Sequence, residues 1–315
     1  MGDERFLVTG SSGCIGAWVM QDLLAEGTPA VGFDLDTEPR RFREIAGKEA
    51  AAAFTVVRGD ITNKDELSRA LEEHGITHVV HLAALQIPFC RDDPIRGAQV
   101  NVVGTVNVFE SVRECSNQVR GVVYASSAGK YGSDDVEVAA ADEEHMPHPS
   151  TLYGVYKQAN ESTARIYWQD YGVASIGLRP YNVYGPGRDQ GVTSAPTLAM
   201  AAAVRGEAFH IPYGGKLVFN YTADVARAFI AACRAAGTGA GAYNVPGTLA
   251  DMRHVIAVLI ELEPEAEQLI TIDDTPLPLP GDLAMGGFER AVGPLEITPL
   301  AAAVRATVEH FRARR

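Results

Sequence analysis

Positive charge is scarce in this chain. Its 315 residues hold 27 Lys and Arg against 40 Asp and Glu, a formal charge of −13. Nucleic-acid affinity rests on clustered Lys and Arg, so this balance argues against a phosphate-backbone partner. It leaves room for a small anionic ligand, which needs only local donors. Cysteine is scarce too. Cys14, Cys90, Cys115 and Cys233 are widely scattered, with no Cys-x-x-Cys and no Cys/His zinc spacing. No metal site is therefore expected, and free thiols in a reducing compartment are. No run of 18 apolar residues exists, so nothing is expected to span or bind a membrane. Residues 1–9 are charged and run straight into a strand pattern, which reads as no signal peptide and a cytoplasmic protein. Met1-Gly2 is followed by Phe6 where N-myristoylation wants Ser or Thr.

What is present is a rhythm. A hydrophobic content of 46% suffices for a packed core. Strand patterns at Phe6–Thr9, Ala30–Phe33, Phe54–Val57, Thr77–Leu82, Gly121–Ala125 and Ala174–Arg179 alternate with helix patterns. The helices fall at Ile15–Glu26, Lys64–His74, Asn101–Cys115 and Tyr153–Tyr171. Short apolar strands separated by helices predict an α/β, Rossmann-type doubly wound parallel sheet covered on both faces. Beyond about residue 181 Pro and Gly become frequent. Thr275–Gly281 predicts an extended loop and Leu300–Phe311 a closing helix. The expected division is a dinucleotide-binding domain over 1–180. A smaller α/β substrate lobe would take 181–315, with some segments returning to the core and a cleft between the two.

Gly10, Gly13 and Gly16 follow the first strand and open the first helix. Glycines there let the backbone approach a diphosphate, and the helix N-terminus points N–H groups at it. The spacing is Gly-x-x-Gly-x-x-Gly rather than Gly-x-Gly-x-x-Gly. Asp34 ends the second strand, 24 residues after Gly10. A carboxylate there accepts from ribose hydroxyls and repels a 2′-phosphate, which points to NAD over NADP. Arg40 and Arg41 lie nearby and are able to hold a phosphate, so the preference is not closed by sequence.

Tyr153 and Lys157 stand four apart in a helix pattern and so share one face. A free tyrosine titrates near pH ~10, too high for a base at neutral pH. A neighbouring ammonium favours its ionised form.

These motifs, taken in order, resemble the extended short-chain dehydrogenases/reductases of the NAD-dependent epimerase/dehydratase type. The matching residues are Thr9–Gly16, Asp34, Gly59-Asp60, His81-Leu82-Ala83-Ala84, Asn101, Ser126-Ser127 with Tyr131-Gly132, and Tyr153/Lys157. Arg179-Pro-Tyr-Asn-Val-Tyr-Gly-Pro-Gly187, Tyr221 with Asp224, and Tyr243-Asn244 complete the set. The resemblance implies that Tyr153 is the general acid/base, that Lys157 holds the nicotinamide ribose, and that Ser127 binds the substrate oxygen. It implies cofactor contacts at Gly10, Ser12, Gly13, Cys14, Ile15 and Gly16. Asp34, Asp60 and Ile61 would meet the adenosine end, and Leu82, Ala83 and Ala84 would line the dinucleotide. Asn101 would sit beside the tyrosine, with Tyr181 and Val183 near the nicotinamide. Ser126 is the rival to Ser127. Cys14 reads as a small packing residue with no redox role. A homodimer built from the helices at Asn101–Cys115 and Tyr153–Tyr171 is also implied.

Departures from the family pattern bear on the substrate. Ala128-Gly129 stands where dehydratases of the family carry Asp-Glu, which argues against dehydration. Leu217 replaces the arginine that grips a phosphate in sugar-nucleotide enzymes, and Gln86 replaces a common lysine. Lys216 would face the other side of its strand. The expected substrate is therefore a small polyhydroxylated molecule, a sugar, sugar acid or polyol, oxidised at a secondary alcohol or lactol. Gln86, Ser127, Tyr153, Asn182 and Arg188 are its candidate contacts, with His145 and His148 weaker candidates. The rival is a sugar or nucleotide-sugar epimerase similar to UDP-glucose 4-epimerases, using the same Ser127, Tyr153 and Lys157. A non-catalytic NAD-sensing regulator is the reading from another class.

Overall fold

The computed structural model describes residues 4–136, 141 and 145–314. Seven strands form one parallel sheet: β1 (Phe6–Thr9), β2 (Ala30–Asp34), β3 (Val56–Arg58), β4 (His78–His81), β5 (Gly121–Ala125) and β6 (Ser175–Arg179) from the first half, and Ala240–Asn244 from the second. Three further strands, β7 (Asn182–Tyr184), β8 (Phe209–Ile211) and β9 (Lys216–Tyr221), precede that last one, which is therefore β10. The order across the sheet is β10-β6-β5-β4-β1-β2-β3, with every neighbouring pair parallel. The chain winds outward in both directions from β1, so the order reverses between β1 and β4. A crevice opens beyond the carboxyl ends of the strands at that point.

β1 is buried at all four positions, because helices cover both faces of the sheet. The helix Cys14–Ala25 covers one side with the helix Thr222–Ala235, their shared core including Val19, Met20, Val225 and Phe229. The helices Lys64–Glu73, Gly104–Glu114 and Leu152–Tyr171 cover the other, around Leu67, Phe109 and Ala164. Thr151 caps the last of these by accepting from the Gly154 N–H at 3.1 Å, and Gly172 ends it at φ +68°.

The second lobe has its own core. β9 pairs in parallel with β7 and antiparallel with β11 (Thr248–Asp251), and β8 pairs in parallel with β12 (Ile270–Ile272). The helices Ala195–Arg205, Met252–Leu262 and Leu300–Arg312 pack around Met200, Leu217, Leu259 and Val304. The chain crosses back to the large sheet after residue 181, through Thr222–Ala235 and β10.

The structure differs locally from the sequence reading in three places. The third strand begins at Val56, although the Thr55 carbonyl already accepts from the Gly32 N–H at 2.8 Å, and the Phe54 ring lies on Phe42 at 4.6 Å. Two short helices, Ile87–Asp92 and Pro94–Ala98, occupy a stretch that carries no long apolar period. The helix expected from Asn101 starts as a π-helical turn, Gln99–Val103, before continuing as Gly104–Glu114. Among the described residues no helix is long and apolar enough to cross a membrane.

Candidate active site

Two adjoining cavities lie in the crevice. One, of about 310 Å³, is lined by the glycine loop, the end of β2, Asp60, Ile61 and the backbone after β4. The other, of about 240 Å³, runs from the glycine loop to Ser127, Tyr153 and Lys157, and on to Val192 and Leu279 of the second lobe. Gly10, Gly13, Cys14, Leu82, Ala84, Gln86 and Arg188 line both.

The glycine loop leaves no room for side chains. Gly10 sits at φ +71°, and a Cβ there would come within 2.7 Å of the Ala83 nitrogen. A Cβ on Gly16 would strike the Gly10 carbonyl oxygen and lie 2.8 Å from the Ser11 Cα. Gly13 is the N-cap of the first helix and supplies no side-chain cap, so the first-turn N–H groups are not capped by a side chain. Asp34 closes the loop from β2, its Oδ2 accepting from the Ser12 N–H at 2.9 Å and its Oδ1 from the Asp36 N–H at 3.1 Å. Burial pushes the Asp34 carboxyl up against the pull of those two bonds. A tight backbone cradle, a helix start and a carboxylate beyond it fit a dinucleotide with a free 2′-hydroxyl.

The far wall is fixed by a buried network. Thr9 Oγ1 accepts from the Leu82 and Ala83 N–H groups at 3.2 and 3.3 Å and lies 2.8 Å from His81 Nδ1. His81 Nε2 lies 3.0 Å from Thr105 Oγ1, which donates to the Asn101 carbonyl at 2.8 Å. Thr105 spends its proton on that carbonyl, so His81 must donate through Nε2–H and accept at Nδ1 from Thr9. Burial pushes the His81 imidazole down to about 3, which keeps it neutral as the network requires.

Tyr153 and Lys157 share a face of the helix Leu152–Tyr171. The Lys157 ammonium is 5.4 Å from the Tyr153 ring centre and donates to the Ala125 carbonyl at 2.6 Å. Burial lowers it from 10.5 to about 8. Burial also raises the Tyr153 hydroxyl, against a hydrogen bond from Ser127 and the charge of Arg188. In this geometry Ser127 and Arg188, rather than Lys157, oppose the rise. Ser127 Oγ also accepts from the Gly129 N–H at 3.0 Å.

Both serines line the second cavity, and Glu161, one turn beyond Lys157, gives them different partners. Ser126 Oγ donates to Glu161 Oε1 at 2.5 Å. Arg179 grips both oxygens of that carboxylate at 2.7 and 2.8 Å, and Lys130 reaches Oε2 at 2.9 Å. This nearly buried cluster consumes Ser126 and leaves Ser127 to face Tyr153. Sequence reading missed it, because its four members come from three separate segments: the stretch after β5, the helix Leu152–Tyr171 and β6.

Most of the residues named from the sequence meet in the two cavities. Gly10, Ser12, Gly13, Cys14, Asp34, Asp60, Ile61, Leu82, Ala83 and Ala84 line the first. Ile15, Gly16, Ser127, Tyr153, Lys157, Tyr181 and Val183 line the second, and Gln86 and Arg188 line both. Burial pushes the Cys14 thiol up to about 11, in keeping with a packing role. Two residues lie outside the lining. Asn101 turns its amide onto the Leu85 backbone, accepting at 2.7 Å and donating at 2.9 Å. Asn182 is fully buried in β7, with its Oδ1 3.3 Å from the Tyr213 hydroxyl. His145 and His148 also stay out of the cavities. Both hydrogen-bond Asp135 Oδ1 at 2.9 Å, in a cluster with no counterpart in the sequence reading. Leu217 is buried in the second lobe's core, and Lys216 is exposed on the other face of β9.

Arg40 and Arg41, the phosphate candidates, are both paired. Arg40 Nη2 lies 2.7 Å from Asp189 Oδ2, and Arg41 Nη2 2.8 Å from Asp189 Oδ1. Arg41 Nη1 also donates to the Ser12 carbonyl at 3.0 Å.

The sequence profile described as the NAD dependent epimerase/dehydratase family matches residues 6–245. The UDP-glucose 4-epimerase of Mycolicibacterium smegmatis is 35% identical over 241 residues, covering 75% of this chain and 75% of that protein. UDP-glucuronate 4-epimerase 2 of Arabidopsis thaliana is 34% identical over 186 residues, which span 57% of this chain but only 42% of that protein. Among solved structures, the Thermus thermophilus UDP-glucose 4-epimerase in complex with NAD is 28% identical with a TM-score of 0.79, covering 99% of this chain and 100% of that one. An L-threonine dehydrogenase from Clostridium difficile superposes with a TM-score of 0.85 at 17% identity, covering 100% of this chain and 99% of that one, and shares the fold.

Proposed function

This chain belongs to the NAD dependent epimerase/dehydratase family, with NAD as its cofactor, and from that premise we propose that it oxidises a secondary alcohol or lactol of a small polyhydroxylated substrate. One observation carries the substrate size. The second cavity, of about 240 Å³, must receive both the nicotinamide end and the substrate; Val192 and Leu279 stand on its second-lobe wall, and Leu217 is buried in that lobe's core, where it offers no cation to a phosphate. Pockets for drug-sized ligands run to about 300–1,000 Å³, so this space favours a compact substrate.

The residues would divide the work as follows. The glycine loop and helix start hold the diphosphate, and Asp34 holds the adenosine ribose. When bound, NAD supplies the hydride acceptor or donor. Ser127 positions the substrate oxygen. Tyr153 takes the hydroxyl proton in oxidation and returns it in reduction. The Ser127 hydrogen bond and the Arg188 charge favour the phenolate in this geometry, and Lys157, still an ammonium at neutral pH, would hold the nicotinamide ribose beside it. Exclusion of water by the surrounding Tyr181, Val183 and Leu279 would strengthen the pull of the Arg188 charge on that phenolate.

The second reading is an epimerase, with the hydride returned to the opposite face of the carbonyl. The identity to the Mycolicibacterium smegmatis UDP-glucose 4-epimerase supports it, and its substrate would be a sugar nucleotide. Exposed Val103, Val155, Ile166 and Tyr171 on the helical face support a homodimer through that face, which sedimentation would test. Mixing the protein with NAD and pools of sugars, sugar acids, polyols and sugar nucleotides separates the two readings. Accumulating reduced-nicotinamide absorbance supports the dehydrogenase. A new stereoisomer without accumulation replaces it with the epimerase.

A further inference from the structure

The stretch after β2 carries opposed signals for cofactor choice. Asp34 and Asp36 disfavour a 2′-phosphate, whereas a nearby arginine commonly accommodates one. Arg41 lines the same cavity as Asp34, and Arg40 precedes it at the start of the helix Arg40–Ala46. The conflict is resolved from a distance of 148 residues in sequence.

We propose that Asp189, on the second lobe, is a cofactor-selecting residue: by pairing with both Arg40 and Arg41 it denies a 2′-phosphate the nearby cations that would welcome it. The geometry is specific. Arg40 takes Asp189 Oδ2 at 2.7 Å, and Arg41 takes Oδ1 through Nη2 at 2.8 Å and Nε at 3.2 Å. The remaining Arg41 nitrogen is spent on the Ser12 carbonyl of the glycine loop. The Arg41 side chain is only 16% exposed, so its planar fork is held in one orientation. Gly187 and Gly191, at φ +82° and +85°, flank Asp189 and turn its loop back toward the first lobe. Arg96, the other arginine apart from Arg188 on this cavity, is paired with Asp60 at 3.2 Å. Arg188 adjoins the catalytic half as well and donates to Thr193 at 2.8 Å.

Removing the Asp189 charge would free the Arg41 guanidinium on the adenosine half for a phosphate, with Arg40 close by and still held by Glu44 at 3.1 Å. The inference rests on NAD as the cofactor and not on the identity of the substrate, so binding alone tests it. Calorimetric titration of the full-length protein with NAD, NADP, 5′-AMP and 2′-AMP is the measurement. Asp189→Asn is expected to tighten NADP at least tenfold relative to NAD, and to bring 2′-AMP within reach. Adding Arg41→Gln should cancel that gain. An NADP-to-NAD ratio unchanged in Asp189→Asn, or a gain that survives Arg41→Gln, overturns the proposal. Should Asp189→Asn not fold, Arg41→Gln alone decides. An unchanged ratio is then the expected result, and a drop in NADP affinity relative to NAD would mean that Arg41 already serves a phosphate. Failure of the wild-type protein to bind NAD at all would instead remove the cofactor assignment on which the inference stands.

Discussion

Replacing Lys157 with methionine should make the protein more stable near neutral pH while abolishing turnover, and the gain should disappear in alkali. Lys157 is 3% exposed, and its ammonium is lowered from 10.5 to about 8 by burial. The gap is about 2.5 pH units. At about 1.4 kcal/mol per unit, holding the charge in the folded state costs about 3 kcal/mol. The sign follows from proton counts. Below about pH 8 both folded and unfolded chains carry the proton, and the cost is fully present. Between about 8 and 10.5 the unfolded chain holds a proton that the folded chain has released, so the wild type gains stability as pH rises. Methionine has no such term and nearly the same length. Urea unfolding of both proteins without added cofactor, from about pH 7 to about pH 10, isolates the difference, because all other titrating groups are shared. The stability of the variant minus that of the wild type should fall steadily above about pH 8, losing most of about 3 kcal/mol. Loss of the 2.6 Å bond to the Ala125 carbonyl offsets part of the neutral-pH gain but does not create the slope. A difference that is flat with pH, or that grows, would refute the burial argument.

Three further outcomes are expected. Tyr153→Phe should keep NAD affinity within about twofold and lose about 10²–10⁴ in kcat, read by cofactor titration beside steady-state rates; undiminished turnover would end its acid/base role. Gly16→Ala should abolish measurable NAD binding and lower the melting temperature, because its methyl would meet the Gly10 carbonyl and Ser11 backbone; normal binding would show that the loop yields. Glu161→Gln should destabilise the protein by about 3–5 kcal/mol in urea unfolding, since it takes from the buried Arg179 and Lys130 the carboxylate they share; unaltered stability would show that the cluster contributes nothing to the fold.

The alternation of short apolar strands with helices was enough to specify the parallel sheet, because a strand buried on both faces must be apolar throughout. Gly16 and Asp34 were legible for a similar reason: each meets a constraint set within the first strand–helix–strand unit, whereas the backbone that crowds Gly10 is that of Leu82 and Ala83 after β4. Tyr153 and Lys157 were legible because four residues of helix bring them to one side whatever the tertiary surroundings. These features depend on backbone geometry over a few residues, and sequence spacing determines that.

Other features depend on where distant segments meet. The seventh strand, Ala240–Asn244, joins the sheet at β6 after the chain has returned through Thr222–Ala235, which shares a core with the first helix. Ser126 and Ser127 are adjacent and chemically equal, and only Glu161, Arg179 and Lys130 take one of them away. Asn101 and Asn182 match a motif, yet their amides are turned to the Leu85 backbone and toward Tyr213. Arg40 and Arg41 read as phosphate ligands until Asp189 arrives from the other lobe. Periodicity and local spacing record what the chain does with its own neighbours. Which charges cancel, and which polar groups remain to meet a ligand, is set by packing between segments that the linear order keeps far apart.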